Sequence, residues 1–412
     1  MPQFHDTSRV WQGTQTILVP SSRCNQTANQ SPDWRTPEPP MSSVIEKIET
    51  LLVDLPTIRP HKLSMTTMAC QTMVIVRMRH SDGIEGLGEG TTIGGLAYGP
   101  ESPESIKRNI DTYLAPLLIG QPSGNLNALR ARLNRHVRGN AIAKSALETA
   151  ALDAQGKRLG LSVAELLGGA RQDHLPVLWT LASGDTRKDI DEAFQRLDER
   201  RHCDFKLKIG ANPVDRDVEH VAAIKAALGD RAGVRVDVNQ AWGEASAVRG
   251  IQALQEAGIE LIEQPIPARE HAGLIRLARR FRVPMLADEA VADARDGLDL
   301  AARGFSGAFA LKIAKSGGLQ GVLELAHVAQ AAGIGLYGGT LLEGSIGTAA
   351  SLHAWATLDE MTWGTEMFGP LLLKDDIVTQ PLNYHAFGVD LPAGPGLGIS
   401  LDEDKLAHYS RK

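Results

Sequence analysis

Lys206 and Lys208 stand two apart in the stretch DFKLKIG, so a strand there would aim both at one face. Two ammonium groups facing one spot repel each other unless an anion lies between them. The carboxylates that follow have an ordered spacing. Asp237 in RVDVNQ, Glu263 in LIEQPI and Asp288 in LADEA are succeeded by Lys312 in ALKIA and Glu366 in GTEMF. From Asp237 to Lys312 the interval is about 25 residues each time, one strand–helix unit. Taken singly, a strand-end Asp reads as a helix cap and a Lys-x-Lys pair as a wet strand edge. Solvation gives no reason for charges to recur at one strand position through five successive units.

Three carboxylates on adjacent strands repel one another unless a cation holds them. Hard oxygen donors suit Mg²⁺ or Mn²⁺, with positions left for water and substrate oxygens. A substrate carboxylate passing through an enolate is the anion such a site would stabilise, the cation acting as Lewis acid. Lys208 on one side and Lys312 across the barrel are placed to move a proton at the adjacent carbon. Lys206 is expected to lower the pKa of Lys208 toward the working range. Asn239, two residues after Asp237, faces the same way and is expected to support the metal ligands. No HExxH occurs and no predicted strand end carries His, which argues against a zinc hydrolase.

The elements that must position these groups are legible in the pattern. Strand candidates are LPVLWTLAS, DFKLKIG, GVRVDVNQ, IELIEQPI, PMLADEA, GAFALKIA, GIGLYGGT and EMTWGTEMF, most separated by helical stretches. Eight units in this rhythm predict an α/β fold, a (β/α)8-type barrel over residues 173–370. No GxGxxG opens a first helix, so a dinucleotide-binding open sheet is disfavoured. Residues 41–172 read as an α+β capping domain: a strand from Val44, a hairpin through QTMVIVRMRH and IEGLGEG, then helices. In NAIAKSALETAALDAQGKRLG, Ile142, Ala146, Ala150 and Ala154 repeat at helical spacing. Residues 371–412 turn Gly/Pro-rich and are expected to return to the capping domain. Residues 1–40 are polar and lack a hydrophobic period, so they read as an extension preceding a start at Met41.

Composition bounds the rest. The 412 residues are 43% hydrophobic and 22% charged, enough for a sizeable core, and the net charge of −6 favours neither nucleic acid nor an anionic membrane. Three scattered cysteines suggest no disulfide framework and fit a reducing cytosol. No apolar run approaches the length of a membrane span. Arg59, His61 and Lys62 make a basic cluster in the capping segment, which reads either as a solvated basic loop or as a patch that attracts an anionic substrate under a closing lid.

This set resembles the enolase superfamily, and within it the muconate-lactonizing subgroup. KxK on the second strand, Asp, Glu and Asp on the third to fifth, and Lys on the sixth match that pattern, over residues 44 to 409. The helix SALETAALDAQGKRLGLSVAELLGG is similar to the family's segment leading into the barrel. The resemblance implies a metal-assisted closure of cis,cis-muconate to muconolactone through an enolate, in catechol catabolism, with Mn²⁺ or Mg²⁺ as cofactor. Epimerases, racemases and chloromuconate-acting members share the same lysines and metal ligands. The stretch DLPTIRPHKLSM, holding Ile58 and His61, is similar to members acting on unchlorinated muconate and implies substrate contact there. For Glu366 in TEMFGPLLLKDDI the resemblance implies a proton donor. It further implies a cytoplasmic homo-oligomer, an octamer, acting on a small dicarboxylate.

Overall fold

The computed structural model describes residues 43–63 and 66–412. The expected extension over 1–40 lies outside the described residues. Strand β1 (Ile45–Lys62) pairs antiparallel with β2 (Thr67–His80), and β2 with β3 (Glu85–Thr91). Helices α1 (Pro103–Asn109), α2 (Ala115–Leu118), α3 (Leu126–His136), α4 (Ala141–Leu159) and α5 (Val163–Leu166) complete the first part. Between α1 and α2, residues Ile110–Leu114 form a π-helical turn. Ser102 and Ser162 cap α1 and α5 through reciprocal capping boxes.

The small residues noted in α4 explain how close that helix lies to the sheet. A Cβ at Gly88 would sit 2.0 Å from the Ala146 carbonyl oxygen, and one at Gly86 would sit 1.9 Å from that of Ala150. Backbone meets backbone, and no side chain fits between. Gly88→Val therefore costs more than the roughly 1–3 kcal/mol of ordinary overpacking. Its thermal midpoint should fall clearly below wild type; an unchanged midpoint would refute the packing argument.

Strand β4 (His174–Pro176) leads into the barrel, whose units are β5 (Trp179–Leu181) and α6 (Thr186–Asp198), β6 (Asp204–Lys208) and α7 (Val214–Leu228), β7 (Gly233–Asp237) and α8 (Glu244–Glu256), β8 (Leu261–Glu263) and α9 (His271–Arg280). They continue as β9 (Met285–Ala287) and α10 (Ala294–Ala302), β10 (Gly307–Leu311) and α11 (Leu319–Ala331), β11 (Gly335–Gly338) and α12 (Ser345–Trp355). β5 to β11 form one parallel sheet in sequential order. Its interior and the helix–sheet layer are filled by side chains such as Trp179, Phe205, Phe309, Tyr337 and Trp355.

Two of the eight expected strands depart from expectation. LPVLWTLAS divides, because β4 pairs with the C-terminal segment while β5 pairs with β6. EMTWGTEMF forms no strand, yet Thr365 makes parallel bridges to both Val177 and Gly338. It thereby closes the sheet between β11 and the first stave. Backbone hydrogen bonds between residues 363–366 and Leu336, Gly338, Pro176 and Leu178 hold this last stave, within which Gly364 has φ +63°.

After α13 (Gly369–Leu372), strands β12 (Tyr384–His385) and β13 (Gly388–Asp390) join β4 in a small antiparallel sheet, and α14 (Glu403–Tyr409) ends the chain. The tail also returns to β1: Ser410 bridges Val53, and Arg411 forks onto Asp54. Glu89 of β3 locks the first part to the barrel by accepting from the Gly344 and Gly347 amides, both 2.8 Å, at the start of α12. Cys70 and Cys203 are free thiols. Among the described residues no helix is long and apolar enough to cross a membrane.

Candidate functional site

Parallel register delivers the charged groups to one rim. Lys208 lies opposite Asp237, and Asp237 opposite Glu263, at the C-terminal ends of β6, β7 and β8. Asp288 directly follows β9 and Lys312 directly follows β10. Lys206, Asp237, Glu263, Asp288, Lys312 and Glu366 are all buried. Since β7, β8 and β9 separate β6 from β10, the carboxylates lie between Lys208 on one side and Lys312 on the other.

Each carboxylate is met by a lysine. Lys206 Nζ lies 2.5 Å from both Glu263 and Glu366, and Lys208 Nζ lies 2.5 Å from Asp237. Lys312 reaches Asp288 at 2.6 Å. The oxygens of Asp237, Glu263 and Asp288 are turned to these ammonium groups and do not all converge within 4.8 Å. Here the lysines supply the positive charge that a divalent cation would bring.

Three participants escaped the sequence reading. Lys315 donates to Asp288 Oδ1 at 2.7 Å and to the Asp288 carbonyl at 2.6 Å. Tyr98, from the loop after β3, receives a hydrogen bond from Lys312 at 3.1 Å and points its hydroxyl at Asp288, 3.3 Å away. Glu289 lies within 3.4 Å of the Asn239 amide. Lys315 and Glu289 had a signal in their closeness to Lys312 and Asp288 along the chain. Tyr98 had none, because only tertiary packing brings it here.

Asn239 donates to Asp237 from its backbone at 2.8 Å and from its side chain at 3.0 Å. It does so from a left-handed conformation, φ +45°, which Asn tolerates better than most residues. Its Oδ1 is buried without a hydrogen-bond partner. Gln264 holds the next turn, accepting from the Asp288 and Ala290 amides.

The electrostatics reverse one expectation. Burial pulls the Lys208 pKa down, but Asp237, Glu366 and Glu263 outweigh it and raise it above the ordinary value. Lys206, its own charge engaged by Glu263 and Glu366, is not among the main influences on Lys208. Lys312 is likewise raised despite burial, chiefly by Asp288. Lys315 is the lysine that moves down, driven by burial. Burial and the nearby Asp237 push the Glu263 carboxyl up to about 8. Five carboxyl groups, Asp237, Glu263, Asp288, Glu289 and Glu366, here face four amines, Lys206, Lys208, Lys312 and Lys315. This buried, oxygen-rich, electron-surplus donor set fits a hard divalent cation.

Above the rim, a small cavity is lined by His61, Ile93, Tyr98, Lys208, Lys312 and Phe368, among others. Lys208 and Leu63 also border an outer cleft of about 460 Å³. His61 is buried, and burial, aided by Lys208 and Arg59, drives its pKa to about 3, so it faces the site neutral. Ile58 is not brought to the cavity. Strand alternation buries Thr57 and turns Ile58 outward, 42% exposed. Nor does Arg59 stand over the site; it binds the Thr180 carbonyl and Glu192. Lys62 lines the outer cleft.

A parallel barrel with acid and lysine groups on its strand ends, beneath an α+β cap, defines an enolase-type protein. Residues 188–405 match the description "Enolase C-terminal domain-like", and residues 47–168 match the N-terminal domain of mandelate racemase / muconate lactonizing enzyme. The chain belongs to this mandelate racemase / muconate lactonizing enzyme family. It is 58% identical over 373 residues to muconate cycloisomerase 1 of Pseudomonas putida, covering 90% of this chain and 100% of that protein. A chloromuconate cycloisomerase of Delftia acidovorans is 46% identical over 367 residues, covering 89% and 99%. The structure of a muconate lactonizing enzyme from Pseudomonas fluorescens complexed with muconolactone is similar at TM-score 0.89 and 60% identity, covering 90% and 100%.

Proposed function

We propose that this chain is a muconate cycloisomerase, closing cis,cis-muconate to muconolactone. The observation that carries the reading is Lys208 and Lys312 on opposite sides of a buried carboxylate group, under a small cavity. Greater identity to the cycloisomerase named for muconate than to the one named for chloromuconate favours the unsubstituted substrate.

Asp237, Glu263 and Asp288 would hold the divalent cation, Mn²⁺ or Mg²⁺. When bound, it supplies Lewis-acid stabilisation of charge developing on a substrate carboxylate. In the cyclisation, the far carboxylate oxygen bonds to a double-bond carbon, and the displaced electron pair passes into the enolate of the near carboxylate. Lys208 delivers a proton to the adjacent carbon, replacing the C–C π bond by C–O and C–H bonds. Lys312 faces the enolate from the other side with its charge intact. Lys206 fixes Glu263 and Glu366, and Asn239 fixes Asp237. Glu366 lines the same cavity and is the alternative donor of that single proton. Ile93, Tyr98 and Phe368 keep bulk water from the enolate. Octameric assembly and a cytoplasmic location belong to the same proposal.

The test is loss of muconate ultraviolet absorbance with Mn²⁺ present, beside 3-chloromuconate and an Ala–Glu dipeptide. Fast loss with muconate alone is expected. An inert muconate with exchange of the dipeptide α-proton would move the function to epimerisation.

A further inference from the structure

A second cluster of metal-binding side chains lies outside the barrel's rim, in the small sheet of β4, β13 and β12. His174 lies opposite Asp390, and His385 opposite Gly388, two residues before Asp390 on the same strand. The register therefore places all three side chains on one face. Gly388 makes the room. A Cβ there would meet His174 Nε2 at 2.5 Å, and without it the two imidazoles approach to 4.9 Å between centroids.

Both rings converge on one carboxylate. His174 Nδ1 lies 2.8 Å from Asp390 Oδ1, and His385 Nε2 lies 2.9 Å from each carboxylate oxygen. Asn383 donates to Asp390 Oδ2 at 2.6 Å and so orients the acid, as groups behind metal ligands do. Among the described residues this is the one trio of His, Cys, Asp or Glu whose donor atoms all lie within 4.8 Å of one another.

We propose that His174, His385 and Asp390 form a second cation site, selective for a zinc-class ion. Zinc bonds nitrogen at about 2.0–2.1 Å and carboxylate oxygen at about 2.0–2.2 Å, so tetrahedral ligands stand roughly 3.3 Å apart. The observed 2.8 and 2.9 Å separations reach that spacing with a movement of a few tenths of an ångström at the carboxylate. His385 is exposed, which leaves the fourth position to water. Two imidazoles and one carboxylate favour Zn²⁺ over Mg²⁺ or Mn²⁺, whereas the rim offers oxygen donors alone. The chain thus sorts two kinds of cation. The ion would staple the strand entering the barrel to two strands of the C-terminal segment. With no metal bound, the same groups make a histidine–aspartate hydrogen-bonded clasp, and experiment separates the two.

Full-length protein saturated with Mn²⁺ is equilibrated with micromolar Zn²⁺, washed in a weakly chelating buffer and analysed for zinc per chain. Wild type should retain one equivalent more than His385→Ala, and zinc should raise its thermal midpoint more than the variant's. Asp390→Asn, which keeps both rings, should lose the same equivalent. It also keeps the test valid if His385→Ala folds poorly. Comparing contents cancels any zinc that enters the rim, and because turnover is not read, the result stands apart from the proposed activity. Equal zinc in wild type and both variants overturns the site and leaves the clasp.

Discussion

Lys208→Ala should fold, bind Mn²⁺ and turn over cis,cis-muconate about 10²–10⁴-fold more slowly, the usual contribution of a positioned proton donor. The fold survives because Asp237 keeps its two hydrogen bonds from Asn239 after losing the lysine. Lys206→Ala is a different case. It frees two buried carboxylates at once, Glu263 and Glu366, and unpairing a buried charge costs about 3–5 kcal/mol. Its thermal midpoint should therefore fall further than that of Lys208→Ala. Arginine at 208 would preserve charge without a transferable proton and should not rescue turnover. Measured kcat and midpoints for the three variants decide the matter. If Lys208→Ala stays within about tenfold of wild type, its proton-transfer role fails.

Much of this site can be read in the chain because a parallel barrel converts spacing into place. Strands buried on both sides carry apolar runs, so a charge at a strand end stands out, and Asp237, Glu263 and Asp288 recur at one strand–helix interval. The α4 alanines were visible for a similar reason, since helical spacing selects a face. Their purpose was not visible, because the glycines they meet lie on β3. What stayed hidden depends on distant segments meeting. Tyr98 reaches Lys312 across 214 residues, and His174 reaches Asp390 across 216. Without a cation the Lys208 shift runs opposite to the expected direction, for an electrostatic reason. Sequence placed Lys206 beside it but did not show that Glu263 and Glu366 would absorb that neighbour's charge. Ile58 was misplaced by a single step of strand alternation.

Removing the divalent cation should abolish lactonisation and lower the thermal midpoint, and Mn²⁺ should restore both. The rim explains why the two are linked. Burial and the nearby Asp237 raise the Glu263 carboxyl to about 8 in the folded state, and a cation beside it favours the ionised form, so the ion binds the folded site and stabilises it. Ligand binding to the folded state alone adds about 2.7 kcal/mol at a hundredfold excess over Kd. Spread over the unfolding entropy of a chain this long, that is a midpoint shift of about 3 °C. Asp237→Asn removes a ligand charge while keeping the side chain's shape and its neighbour Asn239. It should bind Mn²⁺ more weakly, lose most turnover and show a smaller shift at the same metal concentration. The lysines give a second signature. A cation drawing on Asp237, Glu263 and Asp288 competes with Lys208, Lys206 and Lys312 for the same oxygens. That competition frees Lys208 from Asp237 and relieves the carboxylate pull that raises its pKa. Differential scanning with and without chelator, run on wild type and Asp237→Asn together, tests the assignment. A chelator that stops turnover equally while leaving both midpoints unmoved would remove Asp237 from the ligand set.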